Sequence, residues 1–493
     1  MHLSILAGAG KLCITPLLFF TDVKRFRHAF TFIVPNFEKT KKHKMFGWNG
    51  EICLFNRHQE LPIGCLYRAV YLAKKLGHTV DINFLNTVQP KGEIKVDDFD
   101  LDAFQIQAVQ KALKYKYGVI VAPVRAGKTA ISAALIRAVD HYPAWVVTDR
   151  KDLVLQTQAD IARHLSRKIG IYSEGVYQPN DITVTSYAAL RAAFADCKEI
   201  KKAKIIKDPK KIIRNAQIRE HWQRAKIIVY DECHHATTEL IAEVMQQCKS
   251  VAYQIGLTAT PQQRDHPKLA FESKVGSVIS SIPYSTLIEK GRLAKPLVIV
   301  YNLPYAWYTT YLRAYDDIVT ANLTSNNFRN LFIRDIVENL KKQGKTCFVQ
   351  VSRIEHGIAL NDLIPESVFV RGSMEGEVRK NIYKELNAKN IYCVIGTVGK
   401  EGLNIPSLDA VINAEGSKST IANKQKMRSL TAYATKEHGI IIDFIDKGRY
   451  LMRHSRARMK MYESLRGFKI KVRRVPKTYF PLEGATRWQV ELA

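Results

Sequence analysis

The sequence predicts an α/β protein: two tandem parallel-sheet domains preceded by a small α+β module. Short β-branched runs alternate with helical periodicity from about residue 104 to 290, at 119–122, 144–148, 182–185, 227–230 and 252–257. The same alternation returns at 346–351, 367–370, 392–395, 410–412 and 439–444. Apolar strands separated by helices are read as parallel and covered on both faces, because crossover helices join such strands. Residues 1–95 differ: short apolar runs at 29–34 and 52–55, a basic turn (Lys39, Lys41, Lys42, Lys44) and a helical stretch at 65–76.

Acidic residues 93–102 break the composition before the first large domain. The expected divisions are an accessory domain at 1–95, a first lobe at 96–292, a second at 293–446 and a basic extension at 447–493. Residues 295–340, with several aromatics, are expected to bridge the lobes largely as helix. The apolar stretches at 3–7 and 13–20 are interrupted by Gly8, Gly10 and Lys11, and are too short to span a bilayer. Ala7-Gly-Ala-Gly-Lys11 mimics a phosphate loop, but Leu12 stands where a metal-binding hydroxyl is needed.

The chain has 493 residues, with 75 Lys+Arg against 46 Asp+Glu, a formal net charge of +29. Such a surface seeks a polyanion, and nucleic acid is the leading partner because no long amphipathic helix offers an apolar face to a membrane. Eight cysteines without a C-x-x-C pair are read as reduced thiols. His234-His235 has no second ligand pair at zinc-site spacing, so no structural metal is expected.

The predicted strand Gly118-Val-Ile-Val-Ala122 runs into Pro123-Val-Arg-Ala-Gly-Lys-Thr129 and then a helix-forming stretch. A tight loop opening a helix turns backbone N–H groups toward phosphates, so Arg125, Ala126, Gly127, Lys128 and Thr129 are candidate ATP contacts. Lys128 would neutralise β/γ oxygens and Thr129 would ligate Mg²⁺. Ala122 departs from the usual glycine at the loop's start. About a hundred residues on, an apolar strand delivers Asp231-Glu-Cys-His234. Asp231 would hold the metal and Glu232 would deprotonate the attacking water. An acidic pair after a strand also occurs as a plain helix start.

These residues resemble the superfamily 2 helicases, whose two lobes are RecA-like, and further motifs follow in family order across about 104–446. Phe104-Gln-Ile-Gln-Ala108 is similar to the adenine-recognising element, implying Gln105 as the base contact. Thr148-Asp-Arg150 and Thr185-Ser-Tyr187 resemble motifs Ia and Ib, implying Arg150, Thr185 and Ser186 as nucleic-acid contacts. Gly256-Leu-Thr-Ala-Thr-Pro261 resembles motif III, in which Thr258 and Thr260 would couple hydrolysis to lobe movement. Residues 348–353 resemble motif IV and 396–406 motif V, implying Arg353 and Thr397 on nucleic acid, and Gly402 and Asn404 near the nucleotide. Motif V usually carries Asp where Asn404 stands. Motif VI is poorest: Arg428 aligns with the first family arginine, while Met427 and Thr431 replace other signature residues. Arg428 is the candidate arginine finger, with Arg449 or Arg453 as substitutes.

Two further segments suit a phosphate track. The insertion 196–226 includes Lys201, Lys202, Lys210 and Lys211, and is read as a DNA track or a solvated helical hairpin. Residues 447–474 interleave arginines and lysines with Tyr450, Tyr462 and Phe468, for strand grip or for pinning the tail to the second lobe. Trp48-Asn-Gly50 and Leu61-Pro-Ile-Gly64 resemble the N-terminal module of phage UvsW-type recombination helicases, and distantly the XPB-type repair helicases. That likeness implies an ATP-dependent DNA helicase, acting as monomer or transient oligomer, that remodels branched or forked DNA in recombination and repair: Holliday-junction branch migration, fork regression and D-loop unwinding. The location implied is intracellular: cytoplasm or nucleoid, or host cytoplasm if phage-encoded. Three alternatives stay open: a translocating subunit of a restriction-type complex, an RNA helicase, and a nucleic-acid binder with a decayed motor.

Overall fold

The computed structural model describes residues 1–8, 10–90, 101–149, 151–201, 209–237, 243–245, 247–259, 267–305, 308–397, 405–417, 431, 438–465 and 467–476. The chain divides into two compact units, Met1–Ile282 and Pro283–Ala493.

The first unit begins with β1 (His2–Gly8), β2 (Lys11–Thr15), β3 (Thr31–Ile33), β4 (Glu51–Cys53), β5 (Glu60–Pro62) and β6 (Thr79–Phe84). Four of these form a mixed sheet ordered β5-β2-β1-β6, and β3 pairs with β4 in a separate antiparallel ladder. Leu3, Ile5 and Ala7 of β1 are buried at alternate positions, the period-two pattern of a sheet with one face in the core. The sham phosphate loop is the reverse turn of the β1–β2 hairpin, with Gly8 opposite Lys11. The helix Leu66–Lys75 falls within the expected helical stretch.

Eight strands follow: β7 (Tyr117–Val121), β8 (Ala144–Thr148), β9 (Gly170–Ser173), β10 (Val176–Gln178), β11 (Ile182–Ser186), β12 (Ile227–Asp231), β13 (Tyr253–Thr258) and β14 (Val278–Ser281). Their order is β10-β9-β11-β8-β12-β13-β7-β14, and every pair is parallel except β9–β10. That hairpin turns through Glu174 and Gly175, both at positive φ, the two-residue turn that matches strand twist. One hydrophobic core runs from Leu3 through Phe26 and Phe55 to Trp145, Trp222 and Val275, so the small sheet and the large one share an interior. Phe84 stacks on Tyr117 at 6.0 Å, and Arg68 pairs with the buried Glu272 at 2.6 Å.

The second unit contains β15 (Lys295–Asn302), β16 (Cys347–Gln350), β17 (Ser367–Val370), β18 (Cys393–Gly396), β19 (Ala410–Asn413), β20 (His438–Phe444) and β21 (Lys469–Arg474). They order β17-β18-β16-β19-β20-β15-β21, all parallel. Two expectations change here. The start of the expected helical bridge is β15, an inner strand whose Pro296–Tyr301 side chains are all buried; helix begins only at Tyr315–Val319 and Asn327–Lys342. The run Leu297-Val-Ile-Val300 suits a strand covered on both faces. The basic extension supplies the helix Leu451–Glu463 and the edge strand β21, so its first part is built into the second sheet.

Candidate active site

The site is assembled at the C-terminal ends of three adjacent strands, β7, β13 and β12, where open parallel sheets bind ligands. Beyond β7 the loop reaches Gly127 at φ +75°, and the helix Lys128–Val139 starts on the next residue. A Cβ at Gly127 would lie 2.2 Å from Gln105 Nε2, so only glycine fits this approach. Gln105 is buried; its Oε1 accepts from Asp102 N–H at 2.8 Å and its Nε2 donates to the Ala126 carbonyl at 2.9 Å. Gln105 thereby braces the underside of the loop. Ala126 is buried, Arg125 is exposed at φ +67°, and Thr129 is half-buried in the first helical turn.

On the other side β12 ends in Asp231, and Glu232 adopts φ +45°. Lys128 Nζ lies 3.6 Å from Asp231 Oδ1 and in direct contact with Glu232 Oε1. Thr258, at the end of β13, donates to Glu232 Oε2 at 3.3 Å and meets His234 Nδ1 at 3.0 Å. Tyr187 O–H donates to the Asp231 carbonyl at 3.1 Å. A Cβ at Gly256 would press within 2.7 Å of Cys233 Sγ, so that glycine lets the acidic turn close on β13.

The electrostatics are those of three close, half-buried ionisable groups. Burial works against the Lys128 ammonium, but the Glu232 and Asp231 carboxylates outweigh it and raise its pKa. Burial also opposes the Glu232 charge, yet Lys128 and the His234 contact hold that carboxyl well below its usual range. Asp231 is raised, chiefly by burial, with Lys128 opposing and Glu232 reinforcing. In the resting site a lysine is clamped on two carboxyl groups.

The other expected residues lie on several elements. Thr185 and Ser186 are buried in the sheet, with Ser186 Oγ accepting from Ala189 N–H at 3.2 Å. Their side chains are therefore turned away from solvent. Arg353 donates to Thr320 Oγ1 and Asp316 Oδ1 at 2.7 and 2.8 Å, and Thr397 lies just beyond β18. Lys210 and Lys211 begin the helix Pro209–Gln223, whose Ile218 and Trp222 are buried; Lys201 ends the helix Tyr187–Lys201. Arg150, Lys202, Thr260, Gly402, Asn404 and Arg428 lie outside the described residues. Among the described residues no cluster of three or more metal-ligating side chains occurs, and no helix is long and apolar enough to cross a membrane.

The sequence reading missed a buried charge network in the second unit. Arg458 Nε pairs with Asp443 Oδ2 at 2.9 Å and its Nη2 with Asp446 Oδ2 at 3.2 Å, while Arg329 Nε pairs with Asp446 Oδ1 at 2.9 Å. Tyr462 O–H donates to Asp443 at 2.7 Å. The two guanidiniums also hold the Gly416 and Ala414 carbonyls at 2.7 and 3.0 Å, just beyond β19. Arg458 had counted as one of the tail's cations, but it is only 1% exposed. The i, i+4 spacing of Arg458 and Tyr462, aimed at two acids closing β20, was the available signal.

Residues 98–263 match the family model described as "Type III restriction enzyme, res subunit". The chain is 23% identical over 488 residues to the "ATP-dependent DNA helicase uvsW" of Enterobacteria phage T4, covering 88% of this chain and 92% of the relative. It is 22% identical over 404 residues to the "DNA 3'-5' translocase XPB2" of Sulfurisphaera tokodaii, covering 73% and 85%. These matches agree with the resemblance of the motifs to the superfamily 2 helicases. Among solved structures the chain is similar to the "ATP-dependent Type ISP restriction-modification enzyme LlaBIII bound to DNA", with TM-score 0.52, 14% identity, and coverage of 80% of this chain and 33% of that one. That likeness is one of fold: the two large parallel sheets are tandem RecA-like domains.

Proposed function

We propose that this protein is an ATP-driven DNA helicase or translocase of the superfamily 2 type that remodels branched DNA. The observation that carries the motor reading is Lys128, at a helix start, in contact with both Asp231 and Glu232. A one-residue glycine opening, a lysine and two carboxylates at a sheet's C-terminal edge fit a triphosphate and a magnesium ion. Thr129 and Asp231 would hold the metal, and ATP supplies the phosphoanhydride whose cleavage drives movement. Lys128 leaves Glu232 to neutralise phosphate oxygens. Without that cation alongside, Glu232 regains basicity and accepts a proton from the attacking water. Thr258 keeps the Glu232 carboxylate aimed and joins it to β13.

Thr258→Val removes one hydrogen bond to a charged group, about 1.5 kcal/mol, and is expected to lower kcat for ATP roughly ten-fold with KM little changed. An unaltered kcat removes Thr258 from the mechanism. DNA as substrate is supported by the name of the phage relative, an ATP-dependent DNA helicase, and by a basic composition; the likeness of residues 48–50 and 61–64 to the module of recombination helicases points to branched DNA. The test compares ATP-dependent migration of a mobile four-way junction with unwinding of a simple forked duplex. Faster processing of the junction is expected; action on RNA in preference to either DNA sinks the reading.

A second reading, a translocating subunit of a restriction-type complex, is favoured by the description of the matching family model. Co-purification of a stable nuclease partner with the native chain decides for it.

A further inference from the structure

Between β3 and β4 the chain makes an excursion, residues 34–49, in which no residue is buried. The excursion braces itself. Phe37 stands edge-on to His43 at 5.2 Å and to Trp48 at 6.3 Å, and His43 Nδ1 lies 2.8 Å from the Trp48 carbonyl. Thr40 caps the helix Lys41–Phe46, and Gly47 at φ +62° ends it. The last two helical residues, Met45 and Phe46, are 70% and 78% exposed. They contribute nothing to the core, and the fold spends a self-supporting projection on presenting them.

Their surroundings select an occupant. Lys39, Lys41, Lys42 and Lys44 share the excursion with one acid, Glu38. Lys42 Nζ rests 4.5 Å over the Trp48 ring, which fixes one of these charges in place. An apolar pair among cations needs a partner that joins flat apolar faces to closely spaced anions. DNA at a break in pairing presents both: an unstacked base and its flanking phosphates. A lipid surface calls for a longer apolar stripe than two residues. An acidic protein offers the anions without the base faces.

We propose that Met45 and Phe46 form a junction-reading tip that stacks on the terminal base pair where duplex DNA opens, with the lysines on neighbouring phosphates. This rests on the DNA-motor reading and assigns strand-separating residues to it. The tip shares no residue with the Lys128 site, so it is assigned to the duplex and not to hydrolysis.

The test uses the full chain, Met45→Ser/Phe46→Ser and Phe46→Trp. In the double variant, turnover on single-stranded DNA is expected within about two-fold of the parent, while separation of a forked duplex falls about ten-fold or more. Phe46→Trp is expected to retain both. A 2-aminopurine at the fork junction reports stacking in the absence of nucleotide: its fluorescence changes with the parent and Phe46→Trp, and stays as in free DNA with the double variant. Unchanged separation, an unchanged fluorescence response, or a parallel loss of single-strand turnover each overturns the tip. Because fluorescence is read without ATP, it tests the tip independently. A parent without DNA-stimulated turnover defeats only the motor reading.

Discussion

Lys128→Ala is expected to cut DNA-stimulated ATP turnover by at least about a thousand-fold, roughly 4 kcal/mol of transition-state stabilisation. Two effects combine. The substitution removes the cation that would meet the phosphate oxygens, and it leaves Asp231 and Glu232 facing each other without the charge now clamped between them. Two close carboxyl groups without a counterion resist joint ionisation, so the resting site is disturbed as well as stripped of its phosphate ligand. Glu232→Gln separates the two: turnover is expected to fall comparably while nucleotide affinity persists, because Lys128 stays. DNA binding should survive in both. Steady-state hydrolysis and equilibrium binding of a labelled nucleotide distinguish the outcomes, and turnover by Lys128→Ala within ten-fold of the parent removes the site.

Arg458→Ala carries the largest expected effect on stability. It strips two buried carboxylates, Asp443 and Asp446, of a shared guanidinium. Leaving part of a buried pair unpartnered costs about 3–5 kcal/mol. For a unit of this size that lowers the melting temperature by about 6–20 °C. Arg453→Ala, exposed on the same helix, provides the comparison and should shift melting little. Calorimetry checks both; equal melting of the two variants denies the network its structural role.

The sequence made the catalytic half of the molecule legible because its chemistry is local. A loop between a strand and a helix and an acidic pair after a strand each announce themselves within a few residues. Strands β8, β11, β12 and β13 were visible as isolated apolar runs for the same reason. Long-range relations were not visible. Nothing near Gln105 tells that its amide is committed to Asp102 and Ala126, and nothing near Thr185 tells that its hydroxyl lies inside the sheet. Composition misled where a charged residue was assumed to be a surface residue, as with Arg458. The strand at 295–302 was missed because its apolar run was grouped with the longer segment that follows it.

The place of β15 bears on how the chain is made. Leu297 pairs with Ile440 on one side and Lys469 on the other, so the earliest strand of its sheet waits for the two latest. During vectorial synthesis its backbone amides and carbonyls stand unmet while most of that unit emerges, an open edge of four consecutive β-branched or leucine residues. The ribosome thus releases a hazard before its remedy, and aggregation of nascent chains is the failure this architecture invites.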